Sequence, residues 1–273
     1  MQPHLYLSPH LDDAALSCGG LIARQVQSGQ RALIVTLFAG DPPAGIGSAF
    51  AAEKARIWQA EGSPAARRRA EDRAASERLG AAWLHWEYPD CIFRHDPWTG
   101  EAYYPSEESL WGPPNPKELA ALAAELARRL QALCEQEHPV AIYAPLAVGH
   151  HVDHQIALAA VHRIKMTICP LCYYEDYPYA EKPGALQTAL DTLAGAWQPE
   201  IEPLTPEALT AKMEAIACYR SQMPDLFGDE AAMRRRVAAR AQTLANGAGQ
   251  AGAPLYGLAE RYWRRPVTGE VKP

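Results

Sequence analysis

The chain has 273 residues, 48% of them hydrophobic, which is enough for a substantial core and ordinary for a single α/β unit. A formal net charge of −6 leaves no basic field of the kind nucleic-acid binding requires, so the expected partner is a small molecule and not a nucleic acid. The opening Met1-Gln2-Pro3-His4-Leu5-Tyr6-Leu7 has no basic stretch and no long apolar one, and no run of about 18 apolar residues occurs, so the expectation is a cytoplasmic protein without membrane insertion.

In chain order, residues 4–7 read as a strand and 13–28 as the helix after it. Residues 32–38 form a second strand, 51–79 one long helical stretch, 82–86 a third strand, 116–137 a helix and 140–143 a fourth strand. Strands separated by helices of this length imply right-handed crossovers and a mostly parallel sheet covered on both faces. The expected fold is therefore α/β, a Rossmann-like three-layer sandwich.

Residues 96–116 interrupt the alternation with Pro97-Trp98-Thr99-Gly100, Tyr103-Tyr104-Pro105 and Trp111-Gly112-Pro113-Pro114, which predicts an ordered surface loop that serves as a lid. A strand-like Leu171-Cys172-Tyr173-Tyr174 leads into Glu175-Asp176-Tyr177-Pro178-Tyr179. Residues 206–222 and 229–244 read as helices, and 246–252 as a mobile connection to a last piece packed through Leu255, Tyr256 and Tyr262. No internal repeat is visible. Of the six cysteines only Cys169-Pro170-Leu171-Cys172 has suggestive spacing, and two buried thiols are expected there.

Two clusters carry the chemistry. Ser8-Pro9-His10-Leu11-Asp12-Asp13 follows the first strand, and His150-His151-Val152-Asp153-His154 follows the fourth. In open parallel sheets ligands bind beyond the carboxyl ends of the strands, so both clusters fall on the expected rim. A hydrolytic metal site needs three N/O ligands and one open position. His10 and Asp13 are suited to share an ion, leaving Asp12 to face water as a general base. The bland alternative is that Asp12 and Asp13 only cap a helix, which does not account for His10. His151 and His154, three apart at a helix start, share a face, with His150 the spare one. Asp153 is a natural partner to orient His151 or raise its pKa.

At these residues the sequence resembles the PIG-L/LmbE-like family of metal-dependent N-acetylglucosaminyl de-N-acetylases, whose hallmarks are Pro-His-x-Asp-Asp-Glu after strand one and His-x-x-His after a later strand. Pro9-His10-Leu11-Asp12-Asp13 and His151-Val152-Asp153-His154 occur in that order. The resemblance extends through most of residues 1–180. It implies that His10, Asp13 and His154 hold one divalent ion, Zn²⁺ or alternatively Fe²⁺. It also implies that Asp12 is the general base and that His151, protonated, stabilises the oxyanion or acts as general acid. Arg68-x-x-Glu71 looks like the family's substrate-binding Arg-x-x-Glu helix, and Asp90 in Tyr88-Pro89-Asp90 like its sugar-binding aspartate. A solvated charge within Arg67-Arg68-Arg69 is the competing reading of Arg68.

One single deacetylase domain over residues 1–273 is expected, with a core of 1–180 and a C-terminal helical extension over 181–273. Ala14 stands where the family motif has Glu, which removes a supporting contact or marks a subfamily with another substrate. The implied reaction converts an N-acetylglucosamine-type conjugate to acetate and a free amine, with Asp12 or His151 protonating the nitrogen. An amidase acting on a thiol conjugate, an inactive metal-binding domain and a non-haem iron oxygenase are the alternatives, the last disfavoured because such sites commonly ride on an all-β jelly roll. The native metal is not legible, and association into a homo-oligomer is left open.

Overall fold

Strand β1 (Pro3–Ser8) buries its residues on both faces and runs into helix α1 (Asp13–Gln27) and strand β2 (Arg31–Thr36). They belong to a computed structural model that describes residues 1–43, 48–57, 63–165, 169–193, 195–247 and 256–265. Helices α2 (Ala49–Ile57) and α3 (Pro64–Leu79) precede β3 (Ala82–His85). Helix α4 (Pro116–Glu137), β4 (Ala141–Pro145), α5 (Val152–Val161) and β5 (Leu171–Tyr174) complete the alternating part. The remainder holds α6 (Ala185–Thr192), β6 (Gln198–Pro203), α7 (Pro206–Ile216), α8 (Met223–Phe227), α9 (Glu230–Asn246) and β7 (Ala259–Arg264).

Local chemistry sets several of these starts. Ser63, Asn115 and Thr205 each accept a hydrogen bond from an amide of the first turn, and each is followed by a proline at the first helical position. That pairing satisfies an orphan N–H and uses a residue that has none to satisfy.

Among the described residues seven strands form one sheet in the order β3-β2-β1-β4-β5-β7-β6. The first five are parallel, and β7 pairs antiparallel with both β5 and β6. Alternation along the strands divides the core. Leu5, Leu7 and Val35 pack with Leu126 and Leu130 of α4 and Ile156 and Val161 of α5, whereas Tyr6 and Ile34 pack with Leu21, Ile22, Leu79 and Ala215 on the face covered by α1, α3 and α7. Each fully buried aliphatic side chain contributes about 1.5–3 kcal/mol. The expected three-layer α/β sandwich with a mostly parallel sheet is observed, which removes the jelly-roll setting of the oxygenase alternative.

Three boundaries differ from the sequence reading. The stretch read as one helix over 51–79 is two, because Ser63 and Pro64 open a new one at α3. The stretch over 206–222 ends at Ile216. Residues 181–273 are not a purely helical extension, since they supply β6 and β7 to the same sheet. Strand β6 was hidden by Pro199 and Pro203, which cannot donate to a ladder and are tolerated because β6 is the outer strand. Tyr262 does pack against the core, Tyr256 is exposed, and Leu255 with most of the 246–252 connection lies outside the described residues. All six cysteines are free thiols, Cys172 buried and Cys169 half-buried.

Strand order reverses between β1, which leads onward to β2, and β4, which leads onward to β5. At such a switch point the two following connections diverge and open a crevice at the carboxyl ends of the strands. Both His/Asp clusters leave from those two strands.

Candidate active site

The turn after β1 is tied to itself. The Ser8 hydroxyl donates to His10 O (2.7 Å) and accepts from Ala14 N (3.0 Å), while His10 N donates to Asp13 Oδ2 (2.7 Å). Asp12 sits at the N-cap position of α1, yet its side chain makes no capping bond. The capping alternative is therefore not observed, and the Asp12 carboxylate faces a cleft. Ala14 is 1% exposed in the core, so the position where the family motif has Glu carries no charge here.

The β4–α5 connection passes through positive φ at Ala147, Gly149 and His150, and delivers His151 as the N-cap of α5, its Nδ1 accepting from Asp153 N at 3.3 Å. The His151 and His154 rings lie 5.4 Å apart and reach one place together, as their spacing predicts. His150 does not line the cleft.

Asp13 Oδ2 is the meeting point, 3.4 Å from His10 Nδ1 and 3.3 Å from His154 Nε2. The far side of each ring is held by a buried carboxylate. His154 Nδ1 lies 2.6 Å from Asp176 Oδ1, and His10 Nε2 lies 2.9 Å from Asp153 Oδ2. Asp153 thus bonds the His10 ring, not the His151 ring that the sequence reading gave it, because its backbone amide occupies His151 Nδ1 and its carboxylate turns the other way. Asp176, which the sequence reading passed over, had one signal available: it follows β5 directly on the same rim.

Charges in this cluster are strongly coupled. Burial by itself would lower both ring pKa values. For His10, hydrogen bonds to Asp13 and Asp153 and the charge of Asp90 outweigh it and hold the ring well above its usual range, and for His154 Asp13 and Asp176 raise it to about 10. Asp13, although burial opposes it, is held well below the usual carboxylate range by His154 and His10. Burial and the neighbouring His10 and His154 push His151 well below its ordinary value, so it is a neutral ring. With Nδ1 accepting from the backbone, its proton is on Nε2. Asp12 is pushed up to about 7, first by burial and further by Asp13, with Arg68 opposing.

The cleft has a volume of about 160 Å³ and is bordered by His10, Asp12, Asp13, Arg68, Asp90, Trp111, His151 and Tyr179. Arg68 is 7% exposed and spans the site, 3.6 Å from Asp12 Oδ2 and 3.9 Å from Asp90 Oδ2, which sets aside the solvated-charge reading. Asp90 also caps the short 3₁₀ turn Cys91–Phe93 by accepting from Ile92 N. Within the 96–116 loop, Trp111 borders the cleft with its ring 5.1 Å from His151 and 5.2 Å from Tyr179. Trp98 is 91% exposed and does not border it, so that part of the expected lid does not cover the cleft.

Two imidazoles and one carboxylate around a common point, each ring fixed by a carboxylate at its outer nitrogen, form a donor set that fits one divalent ion once the inner ring protons are displaced. His10, His151 and His154 also bring ring nitrogens within 4.8 Å of one another, so a third imidazole borders the same point.

Comparison with known proteins agrees with this geometry. The model of the family described as "PIG-L: GlcNAc-PI de-N-acetylase" matches residues 5–165. A 2'-N-acetylparomamine deacetylase of Niallia circulans is 27% identical over 239 residues, covering 83% of each chain. The protein of the same description from Streptomyces fradiae is 32% identical over 184 residues, 67% of this chain and 59% of that one. Among solved structures, the zinc-inhibited form of the teicoplanin deacetylase Orf2 superposes with a TM-score of 0.79 at 27% identity, covering 96% of this chain and 97% of that one. Since the matched residues span more than half of the sequence and contain both His/Asp clusters, the chain belongs to the PIG-L family of GlcNAc-PI de-N-acetylases.

Proposed function

We propose that the protein removes the acetyl group from the 2-acetamido position of an amino-sugar conjugate, with His10, Asp13 and His154 holding one divalent ion and Asp12 moving the proton. It is a metal-dependent hydrolase of an amide C–N bond. The observation that carries the residue assignment is the convergence of His10 Nδ1 and His154 Nε2 on Asp13 Oδ2 beside a carboxylate, Asp12, that caps nothing.

When bound, the ion polarises the amide carbonyl and makes water more acidic. Asp12, poised near neutrality, takes the proton of the attacking water and afterwards gives it to the departing nitrogen. His151, neutral with Nε2–H toward the cleft, donates to the oxyanion of the tetrahedral intermediate instead of supplying a proton. This departs from the protonated His151 of the sequence reading and assigns both transfers to Asp12. Asp153 acts one step removed, by holding His10. Arg68 and Asp90 offer donors and acceptors for sugar hydroxyls, and Trp111 a ring for the apolar sugar face.

The substrate class we favour is a 2'-N-acetylated aminoglycoside precursor, following the descriptions of the relatives from Niallia circulans and Streptomyces fradiae. Zn²⁺ is the proposed ion because an N₂O donor set suits it, with Fe²⁺ the competitor. One domain over 1–273 and a cytoplasmic setting complete the reading. Among the described residues no helix is long and apolar enough to cross a membrane.

The test is acetate release by protein loaded with one equivalent of Zn²⁺ or Fe²⁺, against 2'-N-acetylparomamine and a panel of N-acetylglucosaminyl conjugates. Release from one of them is expected. No release from any by stoichiometrically loaded protein rejects the reading.

A further inference from the structure

The two carboxylates behind the metal-site histidines are held in different ways. Asp176 is fixed locally, its Oδ2 accepting from Val148 N at 2.8 Å. Asp153, 0% exposed, is instead the inner end of a line of buried charges that runs out to the 96–116 loop. Its Oδ2 accepts from His10 Nε2 and from Cys91 N (3.1 Å), and its Oδ1 accepts from Arg94 Nη2 (2.5 Å). Arg94 Nε donates to Glu118 Oε1 (2.5 Å), and the Tyr104 hydroxyl donates to Glu118 Oε2 (2.5 Å) while accepting from Asn115 N (3.2 Å). The Arg94 guanidinium is also stacked over Phe38, 4.8 Å from the ring centre, and donates through Nη1 to Pro89 O.

We infer that Arg94 is a positioning residue for the metal centre. Its Nη2 donates to Asp153 Oδ1 and leaves Oδ2 turned to His10 Nε2, so the carboxylate fixes the outer edge of the ring and Nδ1 is held toward Asp13 Oδ2. Without the Arg94 donor the Asp153 carboxylate loses the contact that fixes its orientation, and the ring it holds is no longer aimed at Asp13. The fork geometry matters as well as the charge. One guanidinium reaches Asp153, Glu118 and Pro89 O at once, which a single ammonium does not do. Through Glu118 and Tyr104 the same line ties the ring of His10 to the seating of the loop that carries Trp111 over the cleft.

The inference rests on the proposed reading of His10 as a ligand, and the experiment separates the two. Co²⁺ is titrated into metal-free wild type, Arg94→Met, Arg94→Lys and His10→Ala, recording affinity by competition and the visible d–d spectrum, which reports ligand identity and geometry. Arg94→Met is expected to bind Co²⁺ about 10 to 100-fold more weakly with an altered spectrum, the range found for loss of outer partners of metal ligands. Arg94→Lys, which keeps the charge without the fork, should recover part of the affinity and a spectrum nearer wild type. Wild-type affinity and spectrum in Arg94→Met overturn the inference, and if that variant does not fold, the same result in Arg94→Lys overturns it. Should His10→Ala keep the wild-type spectrum, the ligand reading itself falls, and the inference with it. Loss of Co²⁺ in His10→Ala beside unchanged binding in Arg94→Met removes only the inference.

Discussion

Asp12 and Asp13 are neighbours with opposite proposed tasks, and their surroundings support the division. Asp13 lies between two imidazoles that stabilise its charge, whereas Asp12 is buried beside Asp13 and its pKa rises to about 7. Asp12→Asn should therefore retain a stoichiometric ion by elemental analysis while losing about 10² to 10⁴-fold in kcat, the usual contribution of a positioned acid/base. Turnover near wild type would remove Asp12 from the chemistry. The histidines give a second expectation. Metal-free protein holds a proton on each ring that an ion must displace, so metal affinity should rise with pH and binding should release protons, seen by calorimetry in buffers of different ionisation enthalpy. The sign for stability follows: His154, raised from 6.5 to about 10, stabilises the metal-free fold fully below pH 6.5 and loses that contribution as pH climbs through about 10. Melting temperatures of metal-free and metal-loaded protein should diverge over that window. His10, Asp12, Asp13, His151 and His154 were legible because polar residues directly after a strand fall on the sheet rim. Asp176 carried the same signal after β5 and was passed over, whereas Arg94 and Glu118 were not legible, since their pairings join positions far apart in sequence with no periodic trace.

Among the elements, the end of β2 shows how tightly the rim is built. Gly40 donates to Tyr88 O at 2.9 Å, and a Cβ there would lie 2.3 Å from the backbone oxygen of Glu87. A backbone segment cannot swing aside as a side-chain tip does, and residues 87–90 lead directly to Asp90. Gly40→Ala should cost about 1–3 kcal/mol in urea unfolding, the range for overpacking, and raise KM for substrate through displaced Asp90. Retention of both wild-type values would mean that the connection yields freely. At this scale the alternating half of the molecule was readable, because buried parallel strands are apolar runs and helices near 15 residues separate them. The outer antiparallel strands were not. Gln198–Pro203 sets Glu200 and Glu202 between Pro199, Ile201 and Pro203, and Ala259–Arg264 pairs Glu260-Arg261 with Tyr262-Trp263, patterns that match an irregular segment as well as a strand.

For the whole molecule, strand order decides where chemistry can sit, and the switch between β1 and β4 gathers a site from residues 10–13, 68, 90, 151–154 and 176. The same topology places β7, late in the chain, inside the sheet between β5 and β6. Glu260 of that strand takes Gly20 N and Leu21 N, in the middle of α1 and 240 and 239 positions earlier, on its two carboxylate oxygens, and pairs with Lys212 of α7. A side chain at Gly20 would meet Leu204 at 2.6 Å and Glu260 at 3.1 Å, so the gap is filled by the carboxylate. During synthesis, then, the helix that follows the His10–Asp13 motif cannot reach its final packing until β7 has left the ribosome. Arrested nascent chains that keep β7 within the exit tunnel should remain sensitive to protease in α1, and chains extended enough to release β7 should become resistant in one step. Resistance acquired before β7 emerges would show that the N-terminal half folds on its own. The residues proposed to catalyse are thus encoded well before the strand that seats their helix, and a copy truncated ahead of β7 is expected to lack that packing.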